Sequence, residues 1–108
     1  MYFFCFLFSF CFRSVKPKIS SFQVSSSYKI NESLVLSCVA NGYPYISMRL
    51  LHNGTIITQI SKVNQYLGNL RWTKRNVRLI DSGDYACVVS NEIGQERRSA
   101  NAIIKGIY

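Results

Sequence analysis

The stretch Asp81-Ser-Gly83-Asp-Tyr85-Ala-Cys87-Val-Val-Ser-Asn91-Glu-Ile-Gly94 decides how this chain folds. Asp81-Ser-Gly83 is turn chemistry, because an aspartate side chain bonds nearby backbone and glycine takes dihedrals closed to other residues. Asp84 to Ser90 alternates with a period of two, which puts Tyr85, Cys87 and Val89 on one face of a strand. Asn91-Glu-Ile-Gly94 turns the chain again, and residues 99–105 pair back with Ala100, Ala102 and Ile104 inward.

Upstream the same grammar repeats. Leu34-Val-Leu-Ser-Cys-Val-Ala40 places Leu34, Leu36, Cys38 and Ala40 on one face, and Asn41-Gly-Tyr-Pro44 follows as a turn. Ile46 to Leu51 points Ile46, Met48 and Leu50 inward, and Asn53-Gly54 is a strong hairpin signal before a short strand at Thr55-Ile-Ile-Thr58. Gln59 to Asn69 alternates only weakly, and Leu70-Arg-Trp72 resumes the strand pattern. Arg13 to Ser27 is polar and holds Pro17, as suits an edge strand or an entering linker. No capped stripe of helical period occurs anywhere, so short strands at this spacing predict an all-β two-sheet sandwich.

Composition narrows the function. The 108 residues suffice for one domain, and 48% of them are hydrophobic, which excludes disorder for most of the length. Thirteen Lys and Arg stand against five Asp and Glu, for a net charge of +8, which argues against a carboxylate-based metal site. Seven aromatic residues crowd into the first twelve: Tyr2, Phe3, Phe4, Phe6, Phe8, Phe10 and Phe12. This apolar run is shorter than the roughly 20 residues of a membrane span and within the roughly 7–15 of an export signal. No basic residue precedes it and no small-residue cleavage site follows. Residues 1–14 are therefore read as a signal peptide or an artefact of the gene model, with a structural strand as the third reading, and the domain is placed at 15–106. Outside that segment only Cys38 and Cys87 remain, 49 residues apart and in no metal-ligand spacing. One such pair closing a long loop reads as a structural disulfide of a non-cytosolic compartment. The sequons Asn31-Glu-Ser33 and Asn53-Gly-Thr55 agree with export, and Asn53 ranks first as an exposed hairpin tip.

With these residues in place, Val15 to Lys105 resembles an immunoglobulin-like domain of the I-set type, a Greek-key sandwich. The resemblance rests on the D-x-G-x-Y-x-C run Asp81–Cys87, the N-x-x-G hairpin Asn91–Gly94, and Leu34-x-Leu36-x-Cys38-x-Ala40-x-Gly42-x-Pro44. It implies that Cys38 and Cys87 join the two sheets. It also implies that Tyr85 forms a tyrosine corner, its hydroxyl bonding upstream backbone, while Asp81 and Gly83 shape the turn. Leu36, Leu50 and Trp72 complete the expected core. Two positions depart from the pattern. Leu50 stands where the family carries its core tryptophan, twelve residues after Cys38, with Trp72 expected to make up part of the lost volume from the other sheet. Lys74 falls on the inward parity, to be relieved by a bulge or by its stem reaching out to water.

The resemblance implies a non-catalytic binding module of the extracellular space or cell surface, in adhesion or receptor recognition, within a larger multidomain chain. Its partner would be a protein ligand or a like domain on another cell. The alternatives are an I-set spacer of a giant intracellular muscle protein and a secreted heparan-sulfate-binding domain. Arg71 and Arg75 share a parity and are the expected strip for a sulfated glycan, against the simpler reading of a solvated face. Arg97 and Arg98 on the last strand are the expected protein-binding anchors, at the end of the sandwich opposite the exposed tyrosines Tyr43 and Tyr45; Tyr66 is a further candidate. His52, the lone histidine, sits at a predicted hairpin tip with no nucleophile or co-ligand. No enzyme activity, metal, cofactor or nucleic-acid partner is implied.

Overall fold

The computed structural model describes residues 2–5, 11–25, 27–63 and 67–106, so Tyr66 and most of the middle of the aromatic run lie outside the described residues. The described residues form nine strands: β1 (Tyr2–Cys5), β2 (Cys11–Gln23), β3 (Ser27–Lys29), β4 (Leu34–Tyr43), β5 (Ile46–His52), β6 (Thr55–Val63), β7 (Leu67–Lys74), β8 (Gly83–Ser90) and β9 (Gln95–Lys105). Among the described residues a 3-10 turn covers Leu79–Asp81. They form a four-stranded sheet in the order β1-β2-β4-β7 and a five-stranded sheet in the order β3-β9-β8-β5-β6. All pairs are antiparallel except β3 with β9, where the chain leaves the first sheet after Gln23 and joins the second.

Several elements exceed their sequence limits. Strand β4 runs through the turn-rich Asn41-Gly-Tyr43, and β6 continues to Val63. Backbone pairing with a neighbour overrides weak local alternation once the partner strand is present. Strand β2 begins at Cys11, upstream of the boundary expected at residue 15, and β1 pairs with it, Tyr2 opposite Ser14 and Cys5 opposite Cys11. Aromatic-rich segments suit this pleated pairing.

The core is the inward parity of β4, β5, β7 and β8. Leu34, Leu36, Cys38, Ala40, Ile46, Met48, Leu50, Tyr85, Cys87 and Val89 are fully buried. Cys38 and Cys87 are disulfide-bonded between the sheets, with Cα atoms 6.4 Å apart. Leu50 is directly opposite Cys87 in the β5–β8 register and so flanks the disulfide. Trp72, partly buried, packs against the core from the other sheet. It lies opposite Leu36, one rung away from the Cys38–Leu70 pair, and its ring packs at 6.4 Å from that of Tyr85. The sheets approach closely near Gly68, where an added Cβ would lie 2.6 Å from Ile46 Cδ1 and 2.8 Å from Met48 Sδ. Lys74 stays in unbroken register with Leu34 and is half-buried at the strand's end, so no bulge turns it out.

Candidate functional site

The turn into β8 is held as one unit. Asp81 accepts a hydrogen bond from the Arg78 amide at 2.8 Å through Oδ2, and the Tyr85 hydroxyl donates to the Asp81 carbonyl. The His52 ring stacks on Tyr85 at 4.4 Å and 6°, with Nε2 3.0 Å from the Ser82 carbonyl. His52 thus ends β5 against the core and is not at the hairpin tip, because the chain turns one residue later at Asn53-Gly54. Gly83 has φ of +139°, and a Cβ there would stand 2.4 Å from Asn53 Oδ1, so this position excludes a side chain twice over.

Burial, reinforced by the neighbouring Asp81 and Tyr28 charges, pushes the Tyr85 hydroxyl from 10.0 up to about 12. The unfolded chain gives up that proton near pH 10 and the folded chain near 12. The stabilisation is therefore complete below pH 10 and is lost as pH rises through about 12. Replacing Tyr85→Phe is expected to cost about 1 kcal/mol at pH 7 through the lost hydrogen bond. The same substitution should remove this part of the alkaline destabilisation. Urea unfolding of both proteins at pH 7 and pH 11 reads both effects.

Asn53 is exposed in the hairpin turn, and its side chain and backbone are bonded to β8. Its Oδ1 accepts from the Asp84 amide at 2.9 Å, its own amide donates to the Asp84 carbonyl at 2.8 Å, and its Nδ2 lies against Gly83. Asn31, with φ of 75°, occupies the exposed turn between β3 and β4. Its backbone amide donates to the Val77 carbonyl, and among the described residues its side chain has no hydrogen-bond partner.

The Tyr43 turn and the Asn91–Gly94 hairpin share one end of the sandwich, not opposite ends, and Arg97 and Arg98 stand inward of that end, level with Arg49 and Leu50. Ser47 at the start of β5 pairs with Ser90 at the end of β8, and Ser90 pairs with Gln95 at the start of β9. Asn91 ties the two turns together: Oδ1 accepts from the Ile93 and Gly94 amides, and Nδ2 donates to the carbonyls of Val15 at 2.8 Å and Tyr43 at 3.4 Å. Sequence reading gave Asn91 a local turn role only. Its cross-chain role depends on neighbours 48 and 76 residues away.

The four arginines do not form one surface. Arg98 takes the inward parity of β9, where Nη2 donates to the Ile19 carbonyl at 2.9 Å and lies 4.0 Å from Glu96, whose Oε1 accepts from the Ile19 amide. It fastens β2 across to β9 and is not a free anchor. Arg71 faces outward from the four-stranded sheet opposite Ser37, beside an open cleft lined by Phe22, Val24, Tyr28 and Val35. Arg75 lies in the bend after the end of β7 and is exposed. Arg97 faces outward from the other sheet.

On that outer face Arg97, Val88, Arg49 and Gln59 form one cross-strand row, and Ser99, Ala86, Leu51 and Ile56 form the next. Val88 and Ala86 point away from the core yet are only 3% and 2% exposed, so flanking side chains cover them. Ile56 is 45% exposed. Arg49 was missed by sequence reading, although its place between inward Met48 and Leu50 already turned it outward.

A disulfide-linked two-sheet Greek key with a tyrosine corner is an immunoglobulin-type sandwich. The chain belongs to the immunoglobulin domain family, whose model matches residues 16–91. It is 34% identical over 98 residues to the muscle M-line assembly protein unc-89 of Caenorhabditis elegans, covering 85% of this chain and 1% of that protein. It is 28% identical over 91 residues to neural cell adhesion molecule 1 of Mus musculus, covering 78% of this chain and 8% of that protein. A chimeric titin Z1Z2 structure superposes with a TM-score of 0.74 at 18% identity, covering 89% of this chain and all of that one, which speaks to the fold alone. The chain thus spans a small fraction of the curated relatives it matches.

Proposed function

We propose that this chain is an extracellular immunoglobulin-type recognition module acting in cell adhesion or cell-surface reception, with no catalytic role. The observation that carries the reading is the Cys38–Cys87 bond across the core, since such bonds persist in oxidising compartments. The similarity to a neural cell adhesion molecule supports it, and so does an outer sheet face that packs against nothing among the described residues. Residues 1–14 serve in this reading as an export leader, and the recognition domain is residues 15–106. Asn31 is the glycan acceptor in place of Asn53, because the Asn53 side chain is already bonded to β8. The second reading, a spacer of a muscle protein, is favoured by the similarity to unc-89 and needs neither export nor a disulfide.

Expression of the full chain in secretory cells tests the choice. The expected product is exported, shows no free thiol at Cys38 or Cys87, and loses one glycan's mass on Asn31→Gln while Asn53→Gln leaves the mass of the glycan unchanged. Folded protein retained in the cell with both thiols free overturns the extracellular reading in favour of the spacer.

A further inference from the structure

Five acidic residues serve the whole chain, and their positions leave the outer face of the five-stranded sheet with a single carboxylate. Glu32 lies in the turn before β4, Asp81 is bound to the Arg78 amide, and Glu96 is engaged with Ile19 and Arg98. Glu92 sits in the hairpin beyond the end of the sheet. Asp84 alone shares the outer face of the five-stranded sheet. It is four residues along β8 from Val88, roughly 13 Å away at strand rise, and accepts from Asn101 Nδ2 at 2.9 Å.

Arg49 and Arg97 flank Val88 from either side, each directly opposite it in register. Their backbones stand two strand spacings apart, roughly 10 Å, so both guanidiniums reach one group placed over Val88. Among the described residues neither has a hydrogen-bond or ion-pair partner. The neighbouring rung, Ala86, Leu51 and Ile56, is apolar.

We propose that the Arg97–Val88–Arg49 row docks an acidic segment of a protein partner, with a carboxylate held between the two guanidiniums and an adjacent apolar side chain on Leu51 and Ile56. The proposal deepens the recognition reading above and rests on it. A planar guanidinium fork suits a carboxylate, and two of them on a nearly water-free floor hold it more firmly than lysines in bulk solvent. A sulfated glycan is a poorer occupant, because it needs a longer array of cations and gains nothing from the apolar rung. A second copy of this chain is poorer still. It offers only Asp84 on the matching face, and two bodies of net charge +8 repel.

The test is a titration of the isotopically labelled full chain with three probes: a synthetic peptide alternating glutamate and leucine, its glutamine counterpart, and a heparin hexasaccharide. The glutamate peptide is expected to shift the backbone amides of Arg49, Val88 and Arg97. Its affinity should fall about tenfold for Arg97→Gln and about tenfold for the glutamine peptide, the loss typical of one charge-assisted anchor. Arg97 is exposed, so its variant keeps the fold, and Arg71→Gln on the opposite sheet should change nothing. Peptide shifts that map elsewhere, an affinity indifferent to Arg97→Gln, or a heparin fragment that takes this row while the peptide does not would each overturn the proposal. An exported, disulfide-bonded chain that fails this titration leaves the recognition reading standing and removes only the acidic docking row; a chain retained with free thiols removes both.

Discussion

Replacing Cys38 and Cys87 together by alanine is expected to lower the unfolding free energy by about 4 kcal/mol. The bond closes a loop of 49 residues, and a covalent closure of that length removes much of the unfolded chain's freedom. Both sulfurs are fully buried, so the alanine pair also leaves a small void between the sheets. Urea unfolding of the oxidised protein and the double variant measures the difference. A loss below about 1 kcal/mol would show that the packed sheets, not the cross-link, restrict the chain. A domain of this size has about 5–15 kcal/mol in total, so the predicted loss is a large share of it.

The second large effect is at Leu50. Truncation Leu50→Ala is expected to cost about 2–5 kcal/mol, because the side chain is fully buried and opposite Cys87. The more informative substitution is Leu50→Trp, which restores the residue the family carries at this position. It is expected to destabilise as well, by about 1–3 kcal/mol, through overpacking. The reason lies in the neighbours. Gly68 lets Ile46 and Met48 close onto the other sheet, and Trp72 already occupies the space against Tyr85. Thermal or urea unfolding of the two variants checks both signs. A Leu50→Trp protein more stable than the parent would mean that a void remains beside the disulfide.

Much of this molecule was legible in the residues because strand alternation is a local property. Leu34, Leu36 and Cys38 all point inward for the same reason: successive side chains in a strand alternate faces. The Asp81–Cys87 turn is equally local, its bonds spanning three and four residues. Its sequence therefore pointed to both the fold and the tyrosine corner. Asn53 shows where this kind of reading stops. A sequon is three residues long, but the bond that holds its side-chain oxygen comes from the Asp84 amide, 31 residues away. Arg98 is the same case at greater range. Its alternation was readable, but its bond to Ile19, 79 residues away, was not.

The sequence by itself determined the fold class, the inward residues of the main strands, the turn before β8 and the basic charge. Only the tertiary structure decided which residues stand side by side. It brought the Tyr43 turn and the Asn91 hairpin to one end, and it separated Arg71 from Arg97 onto opposite sheets. It also placed Arg49 and Arg97 about one Val88. The physical reason is that a strand's two faces follow from its own backbone geometry, whereas its neighbours follow from the register between segments distant in sequence, which burial of the whole core selects.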